Sequence, residues 1–336
     1  MTAKQKMSRR NFIRSSVVMG GAWMVAGSIP VESIADEVRP EIAKSESSAG
    51  VSKVYMLKDI TPQNMIRLYD ALGRKAKGKV AVKLSTGEPG GHNFLQPTLI
   101  KDLVKKVNGT IVECNTAYGG GRADTDSHLK AAADHGFTAI AKVDIMDADG
   151  EVALPVQGGK HLKEDFVGSH YLDYDFTVVL SHFKGHPMGG YGGALKQLSI
   201  GIASSAGKAY IHGAGKPEDI WTADHDSFLE SMADAASSVV DYFKGNAVYV
   251  NVMKNMSVDC DCCAVAEDPC MKDMDILIST DPIAIDQACL DLVYASDDPG
   301  RDHLLERIES RHGVHTIEAA AALGFGTREY ELITVA

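Results

Sequence analysis

Between Ser181 and Lys196 the chain reads SHFKGHPMGGYGGALK, which places two histidines, two lysines and five glycines within sixteen residues. Imidazole is the side chain poised to move protons near neutral pH. Ammonium groups hold anions or, when stripped of water, act as nucleophilic amines. Glycine backbone lets a ligand approach closely and aims N–H groups at oxyanions. His182, His186, Lys184 and Lys196 are accordingly the candidate catalytic residues, with Gly192 and Gly193 as candidate anion-binding backbone. Two other glycine loops have the same character. Ser85 to Asn93 reads STGEPGGHN and Asn115 to Arg122 reads NTAYGGGR, which offers Ser85, Asn115, Thr116, Gly120 and Arg122 to an anion. His182 and His186 have helical spacing, but Gly185, Pro187, Gly189 and Gly190 argue against a helix, so their convergence depends on a turn. None of these loops has P-loop spacing or the dinucleotide fingerprint, which excludes a standard nucleotide enzyme.

The second chemical cluster is VDCDCCAVAEDPC, Val258 to Cys270. Of six cysteines, four (Cys260, Cys262, Cys263 and Cys270) fall here, a density that suits a ligand set better than a disulfide framework. Thiolates at this spacing can serve an iron–sulfur cluster or another metal, although the pattern is neither a ferredoxin run nor a zinc-ribbon pair. Disulfides and free buried thiols remain the alternatives. Cys289 lies on an apolar helix face and reads as core; Cys114 ends a strand beside a glycine loop, where it is a fourth ligand or core.

The first 35 residues carry five basic residues and one acid, so the remainder is four units more acidic than the −11 of the whole chain. Such an acidic protein is a poor partner for nucleic acid or anionic lipid. SRRNFIRSSVVMGGAWMVAGSIP reads as a twin-arginine signal: Arg9 and Arg10 precede an apolar stretch too short to span as a mature membrane helix, and Ser33 to Ala35 supplies small residues for cleavage. The expected organisation is a signal peptide over 1–35, a flexible linker over 36–50 and one α/β region over 51–336. The expected location is the periplasm or another exported compartment, with the twin-arginine translocase as export partner and no stable membrane span after cleavage. That route carries folded proteins, which suits a chain loaded with its cofactor before export.

Positioning these loops requires strands that end where they begin. Strands are predicted at Lys53–Leu57, Lys79–Leu84, Thr110–Cys114, Ala139–Lys142, Phe176–Leu180, Ala247–Met253, Asp275–Ile278 and Glu329–Val335. Helices are predicted at Thr61–Leu72, Pro97–Val107, Thr125–His135, Ala194–Ile202, Asp226–Phe243, Asp281–Tyr294, Arg301–Ser310 and Ile317–Leu323, and Glu151–Lys160 is irregular. The alternation predicts an α/β fold, with mostly parallel sheet flanked by helices, in one large or two intimately joined domains. In such folds ligands sit at the carboxyl ends of strands, where the three glycine loops fall.

The segments CNTAYGGGR with HLKAAADHGF, LSHFKGHPMGGYGGALKQLSIGIAS, and CDCC with DILISTDPIAIDQACLDLV resemble the domain of unknown function 362 family, often labelled as iron–sulfur-centre proteins. The resemblance runs from about Val54 to Val335 and implies an iron–sulfur cluster or other metal at the cysteine loop. Many relatives carry a ferredoxin-type insert where this chain has only IHGAGKP, Ile211 to Pro217. The interval from His186 to Lys196, with Gly190 and Gly193, is also similar to the nickel-pincer lactate racemases, in which such a lysine holds the cofactor and the histidine is acid and base; Ala194 departs from that pattern. The expected function is an exported metal- or iron–sulfur-associated protein that binds a small anion in a Gly/His/Lys-lined pocket. A metal or cluster carrier is the alternative, and pincer-like racemase or isomerase chemistry a further one.

Overall fold

The structure, a computed structural model, describes residues 50–335. The expected signal peptide, the linker apart from Gly50, and Ala336 lie outside the described residues. The predicted alternation appears as β1 (Ser52–Lys58), α1 (Pro62–Leu72), β2 (Val80–Lys83), α2 (Pro97–Lys106), β3 (Gly109–Glu113), α3 (Thr125–Asp134), β4 (Val143–Ile145), β5 (Glu151–Pro155) and β6 (Glu164–Gly168). It continues with β7 (Phe176–His182), β8 (Lys184–His186), β9 (Gly190–Gly192), α4 (Ala194–Leu198), α5 (Ser205–His212), α6 (His225–Phe243), β10 (Ala247–Val252), β11 (Asp275–Ser279), α7 (Pro282–Ala295), α8 (Arg301–Ser310), α9 (Val314–Leu323) and β12 (Tyr330–Thr334).

One sheet of eight strands runs β12-β1-β11-β10-β7-β2-β3-β4. It is mostly parallel; β11 alone runs antiparallel to both neighbours. Successive side chains on a strand point to opposite faces. Phe176, Val178 and Leu180 of β7 therefore enter an apolar layer with α1 and α2, while Val179 enters the layer beneath α6, α7 and α9. Burying each such side chain is worth about 1.5–3 kcal/mol. Among the described residues no helix is long and apolar enough to cross a membrane.

Local chemistry sets the ends. Thr61 accepts from the Asn64 N–H with Pro62 at the first helical position, and Gly73 closes α1 in a left-handed conformation. Some predicted elements change. Of the apolar run expected as a strand at Ala139–Lys142, Ala139 ends a 3₁₀ turn, Phe137–Ala139, and the rest is a turn into β4, which starts at Val143 and pairs with Ile111 of β3. The first half of Glu151–Lys160 is not irregular: its alternation belongs to β5, Glu151–Pro155, which pairs with β6 as an antiparallel hairpin, while residues 156–160 are irregular as expected. The helix expected over Ala194–Ile202 stops at Leu198, and a second one, α5, starts after Ser204, whose hydroxyl accepts from the Gly207 N–H.

The order β10-β7-β2-β3 has a direct consequence. These four strands are adjacent and parallel, so their carboxyl ends deliver four loops side by side. They are the cysteine loop, the histidine–glycine stretch, Ser85–Asn93 and Asn115–Arg122.

Candidate functional site

The stretch after β7 folds as a tight hairpin of β8 and β9 that leads into α4. The Gly185 N–H donates to Ser257 O at 2.8 Å, and a Cβ at Gly185 would lie 2.5 Å from the Val258 main chain. Glycine is needed for that approach, and it presses the hairpin against the cysteine loop. At Gly193 a Cβ would meet the Asp286 carboxylate, which instead accepts from the Ala194 and Leu195 N–H groups at 2.7 and 3.0 Å and fixes the start of α4. Lys196 is thereby aimed at the cysteines.

Its Nζ lies 3.5 Å from Cys260 Sγ, which also receives the Cys262 N–H at 3.4 Å and a hydrogen bond from His186. The Cys262 side chain first, then Lys196, Lys184 and His186, hold the Cys260 thiol well below its ordinary value despite burial. Burial works to discharge Lys196, but Cys260, Cys262, Tyr118 and Asp261 together outweigh it and hold the ammonium above its ordinary value. Burial lowers His186. The ring Nδ1 accepts from the Gly189 and Met188 N–H groups at 2.8 and 3.2 Å, so the nitrogen bearing hydrogen is Nε2, turned toward Cys260.

His186, Cys260 and Cys262 present ligand atoms within 4.8 Å of one another and could hold a metal ion. The other two loop cysteines do not join this group. Cys263 is half-buried, and exposed Cys270 places its sulfur 3.0 Å from His303 Nδ1. Two thiols and an imidazole match a single thiophilic ion by donor type, whereas a cuboidal iron–sulfur cluster takes four thiolates. The imidazole is set against ligation, because a metal-bound histidine normally donates from its other nitrogen and Nδ1 here accepts.

His182 and Lys184 have different partners. His182 Nδ1 contacts Asp261 Oδ1 at 2.9 Å, its Nε2 contacts Lys254 O, and Lys184 Nζ lies 3.2 Å from Asp261 Oδ2. Burial alone would raise Asp261; His182 and Lys184 overcome it and hold the carboxyl low. The Glu88 N–H donates to Asp261 O at 2.8 Å, which ties the Ser85–Asn93 loop to the same knot.

Next to the cysteines is a cavity of about 40 Å³ lined by Ser85, Thr116, Arg122, Lys196 and Cys262 from the expected set, together with Lys83, Glu113, Tyr118 and Lys208. Glu113 is its carboxylate hub: Lys83 Nζ lies 3.6 Å away, Arg122 3.5 Å and His128 3.4 Å, and the Thr86 N–H donates to it at 2.7 Å. Burial alone would raise Glu113; Lys83, the His128 hydrogen bond and Arg122 overcome it and hold the carboxyl well below its usual range. Lys83 is lowered to about 8, chiefly by burial. Arg122 Nε also donates to Glu88 at 2.9 Å. Asn115 builds the loop by donating to Asp147 and Thr125, Gly120 lies against the Glu88 carboxylate, and Gly192 lies beside Lys184.

The sequence reading missed Lys83, Glu113, Asp261, Lys208 and His212. Lys83 and Glu113 carried a signal, since each is a charged residue ending an apolar strand, VAVK and GTIVE. Lys208 and His212 lie on the unforeseen helix α5. His212 is buried with both ring nitrogens unpartnered, and burial lowers it to about 3.

A larger open groove of about 1030 Å³ lies at the amino ends of β2 and β3, beside Lys79, Lys101, Lys105 and Lys142. Sheet topology assigns chemistry to the opposite end, where the converging loops are.

No curated protein matches the chain. Among solved structures it is similar to the lactate racemase apoprotein from Thermoanaerobacterium thermosaccharolyticum, with 15% identity and a TM-score of 0.36 over 60% of this chain and 51% of that one. It is also similar to a structural-genomics protein from Thermotoga maritima, with 14% identity and a TM-score of 0.39 over 78% of this chain and 58% of that one. The chain thus spans little more than half the length of either. The family model described as Domain of unknown function (DUF362) matches residues 80–291, well over half of the sequence, so the protein belongs to that family.

Proposed function

We propose that the protein, exported through the twin-arginine route, binds a small anionic molecule in the cavity between the glycine loops and acts on it with the groups around Cys260. The observation that carries this reading is charge imbalance. Lys83, Lys196, Lys208 and Arg122 share one small cavity with a single lining carboxylate, Glu113. That one carboxylate is shared by Lys83 and Arg122, and an anion entering the cavity adds negative charge beside Lys196 and Arg122. Lys196 and Arg122 are the clamps, and His186, donating to the Cys260 sulfur, keeps that sulfur poised beside Lys196.

The iron–sulfur reading of the cysteine loop draws on the family resemblance, and the separation of Cys270 from Cys260 and Cys262 speaks for a single thiophilic ion instead. Such an ion would be held by the Cys260 and Cys262 sulfurs and would supply Lewis acidity beside the anion. A carrier role is the second reading, favoured by the convergence of two thiols with an imidazole.

Calorimetric titration of acetate and inorganic phosphate tests the anion reading. At least one should bind the wild type, and Lys196→Met should weaken it by roughly tenfold or more, about 1.4 kcal/mol. Absence of binding by either anion, or undiminished binding in the variant, overturns it.

A further inference from the structure

We infer that Lys208 is a nucleophilic amine that forms an imine with a small carbonyl compound carrying an anionic group, an assignment that rests on the anion-binding reading above. The four cations of the cavity are not equivalent. Arg122 is paired with Glu88 and Glu113, and Lys83 with Glu113, Gln197 and the Leu84 carbonyl. Lys196 faces the Cys260 sulfur. Lys208 meets main-chain carbonyls: its Nζ donates to Ala203 O at 2.6 Å and to Cys114 O at 3.5 Å, and among the described residues no carboxylate lies within ion-pairing distance. It is 5% exposed and lines the cavity.

A buried lysine among other cations, bonded to neutral acceptors, is the arrangement that yields a free amine. Burial lowers Lys208, with Arg122 adding to it, against Cys114, Asp147 and Glu113. Cys114 is itself pushed up to about 12 by burial, so its thiol stays neutral and its support for the charged amine falls away. The Asp147 oxygens are engaged by the Asn115 and Ser205 N–H groups.

His212 is the second observation. It lies four residues beyond Lys208 on α5, hence on the same helix face, and its ring is edge-on to Tyr118 of the cavity wall at 6.1 Å. A neutral imidazole with both nitrogens unengaged can relay a proton, donating from one nitrogen as the other accepts, without the ring becoming charged. Imine formation needs that exchange. The Lys208 lone pair attacks the carbonyl carbon, a C–N bond forms and the carbonyl oxygen takes a proton. Nitrogen then loses a proton and the hydroxyl leaves with one as water, so that amine and carbonyl give imine plus water. The cavity admits only a few heavy atoms, given that one water needs roughly 10–15 Å³. The ligand class is therefore the smallest oxo acids, with the carboxylate on Lys196 and Arg122.

Glyoxylate, which has one aldehyde and one carboxylate, is the probe. Full-length mature protein is incubated with glyoxylate, reduced with borohydride and mapped by peptide mass spectrometry, and glyoxylate binding is measured separately by calorimetry. The expected result is a carboxymethyl adduct on Lys208, in excess over surface lysines by more than roughly tenfold at neutral pH. It should vanish in Lys208→Arg, whose folding is checked by circular dichroism; should that variant misfold, the wild-type map still decides. An adduct dominated by Lys83, Lys196 or surface lysines, or binding with no adduct, overturns the assignment and leaves the anion reading standing. Failure of glyoxylate to bind overturns the assignment, and the anion reading falls with it only where acetate and phosphate fail to bind as well.

Discussion

The stretch SHFKGHPMGGYGGALK contains two histidine–lysine pairs that look alike and are used differently. His182 and Lys184 both close on the Asp261 carboxylate. His186 and Lys196 both close on the Cys260 sulfur. All four side chains are buried or nearly so, and the difference lies in the anion each pair meets. A carboxylate has no further chemistry to offer once paired, so the first pair builds the loop junction. A thiolate stays nucleophilic and thiophilic, so the second pair prepares a reactive group. The two anions stand side by side on the cysteine loop, as consecutive residues Cys260 and Asp261.

The sharpest way to break the contrast is Asp261→Asn, which leaves the buried Lys184 ammonium without its carboxylate partner and His182 Nδ1 facing an amide. Loss of a buried partner costs about 3–5 kcal/mol, so thermal or denaturant unfolding should show a large destabilisation. Retention of wild-type stability would contradict the structural role given to the first pair. Gly185→Ala comes next. Its methyl group meets the Val258 backbone, and strain of about 1–3 kcal/mol should appear in unfolding together with weakened anion binding. An unchanged variant would mean that the hairpin and the cysteine loop need not touch.

The second pair is tested through Cys260 itself. Its folded-state pKa is depressed, so its contribution to stability is fully present above the ordinary thiol range, about 8.5, and is lost as pH falls through the lower folded value. Thiolate ultraviolet absorbance, taken as wild type minus Cys260→Ser, should therefore persist well below that range. A titration at the ordinary thiol position would remove the activated sulfur. The smallest effect separates the cysteines. Zinc titration with a competing chelator should lose its tightest site in Cys260→Ser or Cys262→Ser and be untouched in Cys270→Ser, since Cys270 lies beside His303. Equal losses from all three would restore the four-cysteine ligand set.

Much of this was legible in the residues. Thr61, Pro62 and Gly73 bound α1 as their types require, and the apolar run Phe176–Leu180 marks the centre of the sheet. The three glycine loops do end parallel strands. Less legible was α5, whose SAGKAYIH pattern is short and has a weakly amphipathic face; it became a helix through the Ser204 cap and through burial of Lys208 and His212 beneath the loops. The cysteine cluster was visible as a cluster, but which of its members converge was not.

Residue types and their local spacing determined that histidines, lysines and cysteines would stand on loops at strand ends, because capping, turn and alternation rules act over a few residues. Which of them meet was decided by the strand order β10-β7-β2-β3, which brings residues from 83 to 262 around one cavity, and by the anion each cation then found there. Coulomb energy and desolvation depend on distance and burial in space, and a linear sequence holds neither.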